Sequence, residues 1–461
     1  MKTISKRLYT IPALLIMFIA VSTANGEEVT FENLRKATWH AGFAKIAMTP
    51  ERPMFASGYG SRDHTSQGKI HDLFVRVCVL ADAKGHHACF VALDLIGVPK
   101  TMADRLAAYA KTKHHLNRSQ LMIAASHTHS GPALDDKLSH MLKMNQEDWK
   151  EVKRNQKTLN RKVEQAIDRA FADLKPALLF SGLGKTTFAV NRRPPIGKGP
   201  VDHDVPVLKI VSQDGSRLRG TVFGYACHNT TLSFYKWCGD YAGFATLYLE
   251  NRYPGTTALF FCGCGADQNP LPRRKVELAE KYGRMLGTAV EKTISQSMTP
   301  VRQTLRTAYR EIELLYDRVP EKKEIEKTLE TGNRYEKARA RLLLAEIAEL
   351  GKLKKSHSYP IQVWRLGKTV TWIALGGEVV VDYSLRLKKE LGRKTTWVTA
   401  YANDVMAYIP SERVLKEGGY EGGTSMVYYQ LPSHWKPGLE CQIIDTVKEL
   451  VKQCQKPISL R

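Results

Sequence analysis

The chain is short of acidic residues and of cysteine. Its 461 residues hold Lys+Arg 69 against Asp+Glu 46, a formal net charge of +23, with 8 cysteines. A deficit of acid on this scale directs attention to acidic partners: an anionic membrane surface, an acidic glycan or nucleic acid. The basic residues are scattered, and no RNP, helix-turn-helix or zinc-finger spacing accompanies them, so nucleic acid is the disfavoured choice. Eight cysteines without a CxxC pair are too few for a disulfide scaffold, although export would permit some bridges, and Cys262-Gly-Cys264 alone is not a thiolate zinc motif. Also missing are GxGxxG after a strand, a P-loop, a GxSxG elbow and HExxH, which disfavours dinucleotide and nucleoside-triphosphate chemistry.

Long apolar runs are equally scarce. The one present covers residues 8–21, after Lys2, Lys6 and Arg7 and before Ser22-Thr-Ala-Asn-Gly26. This order reads as a secretory signal over residues 1–26, and its run is shorter than the roughly 20 apolar residues that a spanning helix prefers. The mature chain is therefore expected to be exported, secreted or periplasmic, and soluble. Its oligomeric state is not legible.

What remains is 43% apolar and 25% charged, enough for a large core. Short apolar, β-rich runs repeatedly stop in polar clusters: at Asp94, at Ser126-His-Thr-His129, at Cys227-His-Asn-Thr230, at Cys262-Gly-Cys-Gly-Ala-Asp-Gln268 and at Gly376-Gly-Glu378. Open α/β sheets build sites from strand ends of this kind. Helical periodicity lies between them, over 101–113, 149–173, 276–295 and 379–391. The expected fold is α/β, a layered mixed β-sheet domain with flanking helices spanning 27–461. Residues 320–355, dense in Glu, Lys and Arg and broken at Gly332-Asn333, read as a charged helical hairpin inserted in it.

His127 and His129, if they continue their strand, point to one face and can reach one metal or one substrate. His228 follows a second strand in the same way. Glu378 ends a third where a helix begins, a position that favours a carboxylate. Imidazoles plus a carboxylate from separate strand ends suit a hydrolytic zinc site with a position open for water. Tyr401 and Tyr408 are candidate phenol ligands or oxyanion donors, against an ordinary place in the core. Arg192 precedes Asp202-His-Asp204 on a Gly/Pro-rich loop, where it either orients an oxygen-rich substrate or forms an ion pair within the loop.

Ala125-Ser-His-Thr-His-Ser-Gly-Pro132 resembles the hallmark loop of the neutral/alkaline non-lysosomal ceramidases. Ser57-Gly-Tyr-Gly60, His71-Asp-Leu-Phe-Val-Arg76, Asp94, Asn191-Arg192, Ala226-Cys-His228-Asn-Thr-Thr231, Gly377-Glu378, Tyr408-Ile-Pro-Ser-Glu-Arg413 and Gly419-Tyr-Glu-Gly-Gly423 agree with that family in order. The resemblance runs from about residue 40 to about 425. It implies Zn2+ held by His127, His228, Glu378 and Tyr408, with Tyr401 the competitor for the last place. It further implies that His129 and Arg192 line the site, and that the reaction is cleavage of the amide of an N-acyl, sphingolipid-like substrate by activated water. Where that family carries a serine in a Gly-Asp-x-Ser-Pro-Asn segment, this chain has Gln268, and an amide is no nucleophile. The family's full-length enzymes add a C-terminal immunoglobulin-like domain, and this chain ends about where the catalytic domain does. The alternatives are a metal hydrolase of a sugar or cyclitol derivative, with Gln268 and Asn269 as polar lining, and a non-catalytic polyanion-binding protein.

Overall fold

The runs rich in Val, Ile, Phe and Ala form strands whose two faces both find apolar cover. In the computed structural model, which describes residues 39–456 and a short antiparallel pair, Val21–Ser22 with Glu28–Val29, most of these runs join one nine-stranded sheet. The signal-segment expectation otherwise lies outside the described residues.

The main strands are β1 (Trp39–Ala47), β2 (Phe74–Ala81), β3 (His87–Leu93), β4 (Leu121–Ala125), β5 (Lys175–Lys185), β6 (Asp204–Ser212), β7 (Leu218–Tyr225) and β8 (Thr257–Cys262). Their spatial order is β8-β7-β6-β5-β1-β2-β3-β4, with Thr299–Pro300 beside β5. The sequence pointed to an open α/β sheet, but only the outermost pairs, β7 with β8 and β3 with β4, are parallel. All pairs between them are antiparallel. A parallel pair needs a crossover, and each has a helix: α1 (Lys100–His114) between β3 and β4, and α3 (Asp240–Arg252) between β7 and β8. Between them in the chain comes α2 (Gln146–Ala172), whose Val152, Leu159, Val163 and Ile167 recur at helical spacing and are buried. Helix α4 (Val276–Ser295) packs beside α3.

The period of two separates the layers. In β3, Cys89, Val91 and Leu93 join the core that also contains the buried faces of the helices, whereas Ala88, Phe90 and Ala92 face a second core rich in tryptophan. That second core lies against a four-stranded sheet in the order β9 (Leu305–Leu315), β10 (Ser356–Leu366), β11 (Val370–Leu375) and β12 (Thr396–Thr399). Trp364, Trp372 and Trp397 from it fill the space with Trp39, Phe90 and Phe261 of the large sheet.

Between β9 and β10 the chain forms α5 (Lys322–Thr331) and α6 (Arg334–Leu350). Asn333 starts α6 by accepting hydrogen bonds from the N–H groups of Tyr335 and Glu336. Ile325, Ala340, Leu343 and Leu353 give the two helices a small core of their own. Helices α7 (Val381–Leu391) and α8 (Leu439–Gln455) follow later in the chain.

One connection fixes where a site can form. After β12, the Ala400 N–H donates to the Cys262 carbonyl at 2.9 Å, the Ala125 N–H donates to the Tyr401 carbonyl at 3.1 Å, and the Asn403 N–H donates to the Ile123 carbonyl at 2.8 Å. The two edges of the large sheet, β4 and β8, are thereby bridged at their carboxyl ends by residues 400–403. Among the described residues no helix is long and apolar enough to cross a membrane.

Candidate active site

The bridged edge gathers side chains from four separate segments. His127 leaves the end of β4 and His228 the end of β7. Glu378 begins a two-residue strand, Glu378–Val379, that pairs in parallel with Tyr408–Ile409. The Nε2 atoms of His127 and His228 lie 3.2 and 3.1 Å from Glu378 Oε2. His129 Nε2 is 3.1 Å from His127 Nε2, and Tyr408 OH is 3.3 Å from His228 Nε2. His127, His129 and His228 have ring nitrogens close enough together to hold one metal ion. All of these side chains are buried except His129, which is half-buried.

The two imidazoles converge differently from the strand-face expectation. Strand β4 stops at Ala125, and His127 adopts φ +63°, in the left-handed region that a non-glycine residue seldom occupies. The turn, not a period of two, brings His127 and His129 together. Its geometry is enforced by neighbours: Asn229 donates to the Ser126 carbonyl, and Arg62 donates to the carbonyls of Ser57 and His129. Tyr401 shares the left-handed conformation, at φ +54°. Strain held by surrounding structure is common at functional sites.

The tautomers follow from the hydrogen bonds. His127 Nδ1 faces the Ile96 carbonyl at 2.6 Å and His228 Nδ1 faces the Gly265 carbonyl at 2.8 Å. A carbonyl only accepts, so both Nδ1 atoms carry the proton and both Nε2 atoms present lone pairs. They point at a carboxylate oxygen that is itself an acceptor, and Glu378 Oε2 receives no hydrogen bond. Its other oxygen accepts from the Tyr429 hydroxyl. Burial, then the Arg192 charge, push His228 down to about 4. Burial and the adjacent imidazoles push His129 well down as well. With each Nδ1–H committed to a carbonyl, the cluster offers imidazole lone pairs and an unbonded carboxylate oxygen, a set that calls for a cation.

Tyr408 and Tyr401 divide their roles. The Tyr408 hydroxyl meets His228 and receives a hydrogen bond from Arg192 at 3.1 Å. The Tyr401 ring stacks on His127 at 4.2 Å between centroids, and its hydroxyl finds no partner. Burial raises both phenols well above their ordinary value.

Arg192 does not pair within its own loop. Its Nε donates to Glu421 at 2.7 Å and its Nη1 reaches Asn269 Oδ1 at 3.4 Å. Asp202 and Asp204 instead engage Lys388 at 2.6 and 3.1 Å, because both carboxylates face α7. The carboxylate at the start of α7 is Asp267, which accepts from the Val381 N–H at 2.9 Å, so helix polarity acts on Asp267 and leaves Glu378 to the histidines.

Gln268 is not lining. Its amide oxygen accepts from the Asp202 N–H at 3.1 Å, and its amide nitrogen donates to the carbonyls of Ala226 at 2.7 Å and Cys264 at 3.2 Å. Fully buried, it braces the His228 loop from behind. Asn269 takes hydrogen bonds from Thr230 and Arg192. All eight cysteines are free, and burial raises the Cys262 and Cys264 thiols far above their ordinary value.

Tyr429 and Glu421 escaped sequence reasoning as site residues. Glu421 lies in the glycine-rich segment Gly419–Gly422, which carried a signal only as a whole, and Tyr429 lies in the short apolar run Met426-Val-Tyr-Tyr429, which carried none.

An α/β layered scaffold with a buried cluster of three imidazoles and a carboxylate at its bridged edge defines the class. A sequence profile for the N-terminal part of neutral/alkaline non-lysosomal ceramidases matches residues 41–264. A neutral ceramidase of Pseudomonas aeruginosa is 28% identical over 192 residues, 38% of this chain and 28% of that protein, so the match spans well under half of the relative. The crystal structure of neutral ceramidase from Pseudomonas aeruginosa superposes with a TM-score of 0.71 at 20% identity, covering 92% of this chain and 76% of that one. A structure described as ceramidase complexed with C2 gives 0.70 at 18% identity with the same coverage. These matches relate the chain to the neutral/alkaline non-lysosomal ceramidases, whose fold it shares.

Proposed function

We propose that the protein is an exported, zinc-dependent hydrolase of the neutral ceramidase type that cleaves the amide of an N-acyl substrate. The observation that carries this reading is the convergence of two imidazole lone pairs on Glu378 Oε2, a buried anionic oxygen that receives no hydrogen bond. The donor set fits a divalent ion. Ligand atoms of a tetrahedral zinc stand about 3.3 Å apart for bonds of about 2.0–2.1 Å, close to the 3.1–3.3 Å separations among His127, His228, Glu378 and Tyr408.

His127, His228, Glu378 and Tyr408 would hold the ion, whose chemistry is Lewis acidity toward an acyl carbonyl and toward water. The Nδ1–H bonds to Ile96 and Gly265 fix each ring's orientation, and Tyr429 fixes the carboxylate. His129, neutral and half-buried beside the cluster, is placed to accept a proton from attacking water at Nε2 and return it to the leaving amine. Arg192, anchored by Glu421, directs positive charge at Tyr408 and keeps that hydroxyl oriented toward the centre. With Gln268 committed to the scaffold, no side-chain nucleophile is required.

The test is His228→Ala in the full chain. Metal content and hydrolysis of a fluorescent short-chain ceramide should both disappear while the circular dichroism spectrum is retained. Unchanged turnover would remove the assignment. Stoichiometric metal in the wild type without ceramide cleavage would keep the centre and move the substrate to a more polar N-acyl compound.

A further inference from the structure

On the solvent side of His129 the contacts come from tyrosine and arginine. The Tyr59 ring lies 4.8 Å from the His129 ring, between centroids. Arg274 Nη1 donates to the Tyr59 hydroxyl at 2.7 Å, and its guanidinium stands 5.1 Å from the Tyr59 ring centre. The same short loop supplies Asn269, which meets Arg192, and Arg273 lies next to Arg274. Arg274 is itself held at φ +89°, an unfavourable backbone conformation for an exposed arginine.

Arg273 is half-buried, and among the described residues it has no ion-pair partner, nor has Arg274. Burial and then Arg274 hold the Arg273 guanidinium below its ordinary value, and Arg192 adds to the repulsion. The neighbouring carboxylate, Asp240, attracts Arg273 without forming an ion pair with it; its oxygens accept from the N–H groups of Leu232 at 2.9 Å and Tyr241 at 2.7 Å. Glu421 is shared by Arg192 and Arg193. Other shielded cations are ion-paired, as Arg76 with Asp94 and Glu250 or Lys388 with Asp202 and Asp204, or, like Arg62, are met by several backbone carbonyls. Two adjacent arginines without an ion-pair partner among the described residues, one of them linked through Tyr59 to His129, leave a place for an anion from outside.

We propose that Arg273 and Arg274 form an oxyanion-binding rim at the mouth of the site, and that the substrate carries a carboxylate or sulfate group which they receive. The proposal rests on the hydrolase reading above and narrows it to acidic N-acyl compounds. The guanidinium forks match the planar or tetrahedral oxygens of such a group, and the strongly basic surface draws acidic substrates toward it.

The experiment uses three short N-acyl amines of matched length, bearing a hydroxyl, a carboxylate or a sulfate ester, with the zinc-loaded full chain. Binding is followed by calorimetry and turnover by amine release. At least one anionic probe should bind about tenfold or more tightly than the hydroxyl probe, with the difference shrinking as salt is added. That preference should collapse in Arg273→Gln and in Arg274→Gln, and return in part in Arg273→Lys, with metal content reporting an intact centre. Equal affinity for all three probes in the wild type, or a preference that survives both Gln variants, would overturn it. Selective anion binding without amine release would refute amide hydrolysis and leave the rim assigned, whereas hydrolysis of all three probes with equal KM would do the reverse.

Discussion

Two buried regions of the molecule, the tryptophan core on one face of the large sheet and the imidazole cluster at the carboxyl ends of its edge strands, treat their polar atoms differently. In the tryptophan core the indole N–H of Trp39 donates to the Val301 carbonyl at 3.0 Å, that of Trp364 to Ser119 at 2.7 Å, and that of Trp372 to Thr399 Oγ1 at 2.6 Å, with Trp397 the exception. In the imidazole cluster, Glu378 Oε2, His129 Nδ1 and the Tyr401 hydroxyl receive or donate nothing. Burying a polar group without a partner costs about 1–3 kcal/mol, more when it is charged. Unmet hydroxyls are also scattered elsewhere, at Ser139, Thr221 and Thr396 among others, but the cluster sets a carboxylate, an imidazole and a phenol side by side with unmet atoms, where something from outside completes them.

The comparison breaks most visibly if the core is emptied. Trp372→Ala should destabilise the protein by about 3–5 kcal/mol through lost burial and the cavity left among Phe90, Phe261, Trp364 and Trp397. Denaturant unfolding measures this, and metal bound per folded molecule should not change. A matching loss of metal would show that the two regions are one cooperative unit.

Tyr429→Phe acts on the other region with a smaller effect. It removes the hydroxyl that orients Glu378 and leaves the ring in place, so metal affinity should fall about 10–100-fold with little change in unfolding. Competition with a chelator of known affinity reads the change. An unaltered affinity would mean that Glu378 is positioned without its hydrogen bond.

The smallest effect concerns pH. Burial raises Asp240 to about 6, against about 3.9 for an unfolded chain. A folded pKa above the unfolded one means that this contribution to stability is complete below about pH 4 and is lost as pH rises through about 6. Asp240→Asn should flatten the stability profile in that window, as followed by thermal unfolding at fixed ionic strength. A profile that keeps its slope would assign it to other groups, Asp136 and Asp267 among them, which are raised by the same cause.

Strand ends were the legible part of the sequence. β3, β4 and β11 carry near-continuous apolar runs that stop at Asp94, Ser126 and Gly376, because strands buried on both faces have no polar alternation to blur their limits. The histidines that follow β4 and β7 stand out against those runs, and so does Glu378. Strand β9 was hidden because charged residues occur on both of its faces, Arg306 and Arg310 on one and Glu311 and Glu313 on the other, so its apolar content is thin. Helix α3 was hidden for the opposite reason: Tyr241, Ala242, Gly243, Ala245 and Thr246 are buried on several sides, which erases the amphipathic period. Side-chain destinations were the least legible. Gln268 carries the polarity of a lining residue, yet all three of its amide hydrogen bonds go to backbone. The left-handed turn at His127 leaves no trace in residue type. Tyr429 reaches Glu378 across 51 residues, a pairing that only the folded chain creates.

The central claim is that nitrogen and oxygen donors from His127, His228, Glu378 and Tyr408 hold one divalent ion. X-ray absorption at the zinc edge, on full-length protein taken through gel filtration, tests it most directly. The account predicts one equivalent of zinc with nitrogen and oxygen neighbours at about 2.0–2.2 Å and no sulfur. Folded protein that retains no ion when supplied with zinc, or a sulfur shell near about 2.3 Å that would implicate the buried cysteines, would contradict it.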